Sequence, residues 1–262
     1  RTCKDEGCGH TEEMTLPARG NYWDVGRVTT PPTETTAGVR TYTCRIYGCN
    51  ATRTEEIPKL APQVPVSERF DDVDPDGWAC EDIQYCVDND LMNGTSNRTF
   101  APKMVMTRAQ MVQVLYNIVG EPAVTGETTF TDLTANWYQN AVLWAYQTGV
   151  ASGMSETTFA PDDPVTREQV TVFLAEFADR VLDKYTPYMW DALFPFQDRE
   201  SISYYARTAM NWACNLGLIK GIPGPGGLRL EPQSYATREQ MAVILAQFCR
   251  ELNVWNEPIP EL

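Results

Sequence analysis

The sequence predicts a mainly α-helical fold of three repeats that follows a small β-rich module. A pattern of the form Thr-Arg-x-Gln starts at Thr107, Thr166 and Thr237, roughly 60 to 70 residues apart, which indicates a repeat architecture. Each copy is followed by apolar residues at helical spacing. Residues 1–60 show no such period and instead contain cysteine pairs and runs of β-branched residues.

Length and charge exclude several classes of function. The chain has 262 residues, enough to bury a sizeable core, and 21 basic against 35 acidic residues give a net charge of −14. This balance argues against binding to nucleic acid and against a polybasic membrane anchor. No apolar run reaches the roughly 18–20 residues that span a bilayer, so no membrane insertion is expected. One histidine, His10, leaves little scope for histidine catalysis.

In the β-rich module, residues 1–60, runs of alternating or β-branched residues predict two short strands at Arg40–Thr43 and Thr52–Ile57 around a turn at Gly48. Its cysteines form two pairs with the same four-residue spacing, Cys3 with Cys8 and Cys44 with Cys49. Two interpretations remain open. The four thiolates bind zinc, with His10 as a further candidate ligand, or they form disulfides that staple the module.

A proline-rich stretch at 58–67 predicts a domain boundary, with residues 61–67 as the linker. Three repeats follow at residues 68–125, 126–190 and 191–252, and residues 253–262 form a tail. The chain starts at Arg1 without a signal peptide, so we expect it to be part of a longer protein.

Each repeat predicts two helices. The first follows an aromatic residue, and its apolar positions are Ile83, Cys86 and Val87; Val142, Ala145 and Tyr146; Ala209, Ala213 and Cys214. The second begins in the Thr-Arg-x-Gln pattern, and its stripe is Val112, Leu115 and Tyr116; Val172, Leu174 and Phe177; Ile244, Leu245 and Phe248. Units of this size cannot bury such faces alone, so we expect a closed arrangement in which the three second helices share one core. Cys214 and Cys249 lie on the two helices of the third repeat, where a disulfide could join them.

The start of each second helix carries the main functional signal. Threonine followed three residues later by glutamine is a capping box. The arginine between them, Arg108, Arg167 or Arg238, then occupies the first helical position, where the helix dipole disfavours a cation. Three arginines at the same unfavourable position indicate an anion held by the guanidinium and the helix start together.

The motifs Phe-x-Asp, Trp, Gly, Thr-Phe-x-Pro and Thr-Arg-x-Gln, in this order and three times, resemble the S-layer homology domain. The likeness covers about residues 68–252 and is looser in the third repeat, where Tyr205 replaces tryptophan. It implies three repeats in a pseudo-threefold trimer around a central three-helix bundle, with grooves between the repeats. It also implies an extracellular protein, without catalytic residues, metal or cofactor, that anchors non-covalently to a secondary cell-wall polysaccharide.

The resemblance assigns the groove arginine to Arg108, Arg167 and Arg238, whose partner would be the carboxylate of a pyruvyl ketal on an amino sugar. Trp78 and Trp137 are candidates for contact with the face of a sugar ring. Gly94, Gly153 and Gly221 would let the backbone approach the ligand closely. Asp72, Asp132 and Asp198 would accept sugar hydroxyls or hold the arginine in place. Structural alternatives are arginine–aspartate ion pairs, tryptophans in the core, glycines in tight turns and aspartates as helix caps.

These observations favour a wall-binding module. An alternative is a surface-assembly protein whose repeats associate with neighbouring surface-layer proteins. A third and weaker hypothesis is a carboxylate-based glycan hydrolase, for which no nucleophile–base pair is visible.

Overall fold

A computed structural model describes residues 21–24, 26–32, 35–59, 64–185 and 190–255. The chain divides into two compact units, residues 1–63 and residues 64–262, which are taken separately below. Helices dominate the described part of the second unit, and strands dominate that of the first. In the described ranges, no helix is long and apolar enough to cross a lipid bilayer.

The first unit contains an antiparallel sheet of strand order β1-β2-β3. Its strands are β1 (Arg27–Thr30), β2 (Gly38–Thr43) and β3 (Thr52–Ile57). The two predicted strands are confirmed, with β2 starting two residues earlier than expected. Strand β1 was missed because its four residues are all exposed and show no apolar alternation. Gly48, in the loop between β2 and β3, has a φ of 78°.

Cys44 and Cys49 lie in this loop, and neither forms a disulfide with another described residue. Each Sγ lies near Asn21 Oδ1, at 3.9 Å from Cys44 and 3.8 Å from Cys49. Burial raises the pKa of Cys44, but hydrogen bonds from the Ile46 backbone, Cys49 and the Tyr22 backbone outweigh it and lower the pKa. Cys3, Cys8 and His10 lie outside the described residues, so the zinc and disulfide interpretations stay predictions.

The second unit contains the repeats. Its α-helices in the described ranges are α1 (Val66–Arg69), α2 (Cys80–Asp88), α3 (Arg108–Ile118), α4 (Gln139–Thr148), α5 (Arg167–Arg180), α6 (Arg207–Asn215) and α7 (Arg238–Glu251). Two helices per repeat are therefore confirmed, as α2 and α3, α4 and α5, and α6 and α7. The Gly-Pro-rich segment that begins at Ile222 forms a two-stranded hairpin of β4 (Ile222–Gly224) and β5 (Gly227–Arg229).

Helices pair between repeats more than within them. Helix α4 packs on α3, α6 packs on α5, and α2 packs on α7. In each pair, the first helix of one repeat lies against the second helix of the repeat before it. The order is cyclic, because the first helix of the first repeat lies against the second helix of the third repeat. Between α2 and α7, the Cys86 thiol donates to the Ala242 carbonyl at 3.4 Å, and Arg250 pairs with Asp82 at 2.7 Å.

Three backbone hydrogen bonds follow the same cyclic order just before the second helices. Met106 donates to the Ala236 carbonyl at 2.9 Å, Ala236 donates to Val165 at 3.1 Å, and Val165 donates to Met106 at 2.9 Å. We call this set the Met106–Val165–Ala236 ring. Because each repeat both donates and accepts, the ring joins all three repeats through the main chain alone.

The core forms largely where the apolar spacing predicts it. The second-helix stripes are buried apart from Val172, which is partly exposed, and Phe177 and Phe248 bring α5 and α7 together with ring centroids 6.0 Å apart. In the first helices, Cys214 is only partly buried and Tyr146 is exposed, with 44% of its surface accessible.

The disulfide considered between Cys214 and Cys249 is absent, since both are free thiols. Their neighbours differ: Cys214 lies near Arg167, whereas Cys249 lies near Cys86 and Arg250. Burial raises the pKa of each of the two thiols to about 12. Both are therefore protonated, unreactive thiols at neutral pH.

Candidate functional site

The three arginines begin the three second helices in the predicted way. Thr107, Thr166 and Thr237 are the N-caps, and each forms a complete capping box with its glutamine. In the first, the Gln110 backbone donates to Thr107 Oγ1 at 3.3 Å and the Thr107 backbone donates to Gln110 Oε1 at 3.1 Å. The arginine that follows the cap is thereby fixed at the first helical position.

Each arginine side chain reaches into the next repeat. The Nε atom of Arg108 donates to the Phe159 carbonyl at 2.9 Å, that of Arg167 donates to Leu230 at 2.7 Å, and that of Arg238 donates to Phe100 at 2.8 Å. These carbonyls belong to the Thr-Phe-Ala-Pro segments and their counterpart in the third repeat. The arginines are only 5–6% exposed, so each guanidinium is held at a junction between two repeats.

The charge of these arginines is not neutralised locally. Within the described ranges, no carboxylate forms an ion pair with any of the three guanidiniums. Burial lowers the pKa of all three arginines, although more distant carboxylates such as Asp163 act in the opposite direction. The ion-pair alternative therefore finds no support in this part of the chain, and a buried cation of this kind favours an anionic ligand.

The three aspartates support the segments that the arginines contact. Asp132 accepts backbone hydrogen bonds from Phe159 at 2.9 Å and Ala160 at 2.7 Å. Asp72 does the same for Phe100 and Ala101, and Asp198 does it for Leu230 and Glu231. Both carboxylate oxygens of each aspartate are thus occupied by the main chain. The alternative that the aspartates cap helices is therefore wrong. The aspartates do not bond to the arginines, and they support each arginine indirectly by fixing the segment whose carbonyl accepts from it.

The pKa of Asp132 reflects this environment. Burial raises the pKa, but the hydrogen bonds from Phe159 and Ala160 and the positive charge of Arg108 more than offset it, so the pKa lies below the ordinary value. The ionised form is the one that holds the segment.

One cavity of about 460 Å³ contains Arg108. Its other walls come from the segment 149–154 and helix α5 of the second repeat, and from Tyr205 of the third repeat. Arg180 and Glu176, which also line it, form an ion pair with each other. The cavity therefore combines three repeats and presents Arg108 as its unpaired cation among the described residues.

A second cavity of about 630 Å³ contains Arg167. It is lined by Trp78 of the first repeat, by segment 217–223, which includes Lys220 and Gly221, and by helix α7. Trp78 therefore shares a cavity with Arg167 rather than with Arg108 of its own repeat. Both cavities fall in the size range of small-ligand sites.

The predicted tryptophans are at the surface. Trp78 is 61% exposed and Trp137 is 54% exposed, so the alternative that placed them in the core is wrong. Each precedes the first helix of its repeat, and the buried aromatic beside Trp137 is Tyr138, 4.9 Å away between ring centroids. Trp78 lines the Arg167 cavity, so its exposed indole is available to a sugar ring there.

The predicted glycines contact phenylalanines of the Phe-x-Asp motifs. A Cβ at Gly153 would lie 2.4 Å from the Phe130 ring, and one at Gly94 would lie 2.5 Å from Phe70. At Gly221 the distance to Phe196 would be 2.5 Å, and this residue also has a φ of 78°. Close packing thus explains all three glycines, while Gly153 and Gly221 also line the cavities.

The pair Glu168 and Tyr205 was not singled out from the sequence as a functional pair. Glu168 is 1% exposed and accepts hydrogen bonds from Tyr205 Oη at 2.9 Å and from the Ser203 backbone at 3.0 Å. Burial and the bond to Glu168 raise the pKa of Tyr205 to about 12. The pair fixes the Tyr205 phenol at the edge of the Arg108 cavity. The sequence did not predict a functional role for Glu168, because its position in the Thr-Arg-x-Gln pattern indicates only the start of a helix.

Comparison with known proteins connects this geometry with a family. The model of the S-layer homology domain matches residues 69–112, 129–171 and 195–242, about half of the chain in total. Each match extends from a Phe-x-Asp motif into the helix that carries one of the arginines.

Relatives include surface proteins and an exoglucanase. The chain is 26% identical over 204 residues to the surface-layer 125 kDa protein of Lysinibacillus sphaericus, covering 78% of this chain and 17% of that protein. It is 29% identical over 184 residues to the exoglucanase XynX of Acetivibrio thermocellus, covering 68% and 16%. A cellulosome-anchoring protein of A. thermocellus is 24% identical over 116 residues, covering 42% and 26%. The chain thus spans only a small part of the length of these relatives. It belongs to the S-layer homology domain family and is a cell-surface protein.

Proposed function

We propose that this chain anchors a bacterial surface protein to the cell wall by binding an anionic secondary cell-wall polysaccharide. The observation that carries the proposal is the set of buried arginines, two of which line cavities large enough for a saccharide. The family and the cellulosome-anchoring relative support attachment to the cell surface. In this proposal the chain is a binding module and not an enzyme.

The ligand group that fits the site is a carboxylate such as that of a pyruvyl ketal. Each guanidinium uses its Nε on a backbone carbonyl, which leaves donors of the same planar group for a carboxylate. Exposed Trp78 and Trp137 would contact the faces of sugar rings. The aspartates and glycines would act by shaping the segments around the ligand, in keeping with their hydrogen bonds and packing.

We further propose that the three repeats form a pseudo-threefold trimer around α3, α5 and α7 as a central bundle. The cyclic helix pairs and the Met106–Val165–Ala236 ring support this arrangement. It explains why every arginine donates to a backbone carbonyl of the following repeat. It also predicts equivalent grooves, although Tyr205 and Leu230 make the contributions of the third repeat different.

The test is calorimetric titration of the purified chain with pyruvylated cell-wall polysaccharide. We expect saturable binding, weakened by about 2–5 kcal/mol in Arg108→Ala or Arg167→Ala, the range for truncating one partner of a buried charge pair. Arg207→Ala, which removes an exposed arginine outside both cavities, is the control and should bind normally. A folded wild-type chain that does not bind the polysaccharide would refute the proposal.

Surface assembly is the second candidate, because two relatives are surface-layer proteins. It predicts association that depends on protein concentration in the absence of glycan. Sedimentation velocity over a wide concentration range separates the two functions, since a wall anchor should remain at one sedimentation coefficient.

A further inference from the structure

The Arg167 cavity differs from the other arginine sites in how its guanidinium is held. Arg108 donates through Nη2 to the Ser152 carbonyl at 2.9 Å, and Arg238 donates through Nη2 to the Asn93 carbonyl. Arg167 makes only the Nε bond to Leu230. As far as the described residues extend, both of its terminal nitrogens are without a hydrogen-bond partner. These two nitrogens form the edge that binds an anion in bidentate geometry.

The cause is the backbone of the third repeat. The carbonyl acceptors used by Arg108 and Arg238 come from the residues before Gly153 and Gly94. The equivalent residue beside Arg167 is Lys220, which precedes Gly221. Gly221 has a φ of 78° and leads into the β4–β5 hairpin, whereas neither of the other two glycines has a positive φ. The chain therefore turns differently here, and Arg167 gains no second carbonyl.

Within the described ranges, no aromatic ring lies against the Arg167 guanidinium. The Arg108 guanidinium lies 4.7 Å from the ring centroid of Phe159, and that of Arg238 lies 4.6 Å from Phe100. Leu230 takes this place below Arg167 and offers no π face. Among the described residues, Arg167 thus lacks the cation–π contact that helps to hold the other two guanidiniums.

A second cation lines the same cavity. Lys220 is exposed, and within the described ranges it forms no ion pair. The carboxylate in this cavity, Asp82, is already paired with Arg250 at 2.7 Å. In the Arg108 cavity, by contrast, the additional cation Arg180 is paired with Glu176. The Arg167 cavity therefore presents two unpaired cations where the Arg108 cavity presents one.

We propose that the Arg167 cavity selects a doubly negative group on a saccharide, and that Lys220 is the residue that sets this preference. The inference rests on the proposed function and assigns different ligands to two of its grooves. A phosphate monoester carries nearly two negative charges above its second pKa of about 6, and it can accept from both Arg167 nitrogens while Lys220 contributes a point charge. A saccharide with two carboxylates has the same charge, so the test includes both sources.

The experiment follows the arginine Nε–Hε signals of the full chain by NMR at pH 8, a direct report on each guanidinium. Three probes are titrated separately: N-acetylglucosamine 6-phosphate, N-acetylglucosamine with a 4,6-pyruvyl ketal, and glucarate. At Arg167 we expect the phosphate sugar to bind roughly tenfold more tightly than the singly charged ketal sugar, a difference of about 1.4 kcal/mol. At Arg108 the two sugars should bind with similar affinity. Tight binding of glucarate at Arg167 would identify a dicarboxylate as the natural group, and weak binding would identify a phosphate.

Lys220→Gln should abolish the preference at Arg167 without loss of fold, because the side chain is exposed. Lys59→Gln makes the same change of charge in the other unit and should leave the preference intact. Equal affinities of the two sugars at Arg167, with Arg108 still responding to the ketal sugar, would overturn the inference while the wall-anchoring proposal stands. No response of any arginine to any probe would contradict both.

Discussion

Asp132 shows how a single side chain supports the Arg108 site without contacting Arg108 directly. It holds Phe159 and Ala160 through their backbone N–H groups, and the Phe159 carbonyl in turn accepts from Arg108. Since the pKa of Asp132 is lowered in the folded chain, its ionisation stabilises the fold above the ordinary pKa of 3.8. This contribution is lost as the pH falls through the still lower folded-state pKa.

We therefore expect Asp132→Asn to lower the free energy of unfolding at pH 7, since asparagine keeps one acceptor oxygen and places an NH2 donor opposite the second backbone N–H. The same variant should show a smaller decline in stability between pH 5 and pH 2 than the wild-type chain. Urea unfolding at several pH values measures both effects. Asp162→Asn, at an exposed position, is the control, and an equal pH dependence in Asp132→Asn and wild type would contradict the assignment.

At the residue scale the sequence predicted the arginines but not their partners. The Thr-Arg-x-Gln pattern shows that an arginine begins each second helix, because the spacing of threonine and glutamine alone fixes where the helix starts. The carbonyls that accept from the arginines lie between 51 and 138 residues away in the chain. Likewise, nothing local could show that Trp78 would be exposed beside Arg167, since apolar character alone indicates burial.

At the scale of the element, the capping boxes fix where the second helices begin. Thr166 accepts from the Gln169 backbone, so Thr166→Ala leaves a helix-start N–H without its partner. We expect a loss of about 0.5–2 kcal/mol in the free energy of unfolding and weaker binding at Arg167, whose position depends on the helix start. Chemical denaturation and the glycan titration measure these effects. Thr166→Ser keeps the acceptor oxygen and should behave almost as wild type; a loss as large as that of alanine would show that the hydrogen bond is not responsible.

The second helices were predictable because cap, glutamine and apolar stripe agree at each of them. The pairing of helices across repeats was not, because identical apolar faces permit packing within a repeat as well as between neighbours. The β4–β5 hairpin was also missed. Its sequence, Ile222 to Gly227, is rich in glycine and proline, and such composition indicates a loop unless the partner strand is known.

At the scale of the whole unit, cyclic packing predicts cooperative unfolding of residues 64–262. No repeat has its own complete interface, since α2 needs α7 and each arginine needs a carbonyl from the next repeat. Scanning calorimetry of this unit should give one transition with equal calorimetric and van't Hoff enthalpies. Ala236→Pro, which removes the N–H of the ring bond to Val165, should lower the midpoint of the whole transition. Separate transitions for individual repeats would contradict the cyclic arrangement.

The Met106–Val165–Ala236 ring also bears on the time at which the molecule can fold. Met106 and Ala236 are far apart in sequence, and proteins dominated by such non-local contacts fold slowly even when they are largely helical. During synthesis, Met106 cannot donate to Ala236, and Phe100 cannot accept from Arg238, until the third repeat has been made. The ring bond from Val165 to Met106 needs only the second repeat. The contacts that close the ring and complete the Arg238 site can therefore form only after the third repeat has been made.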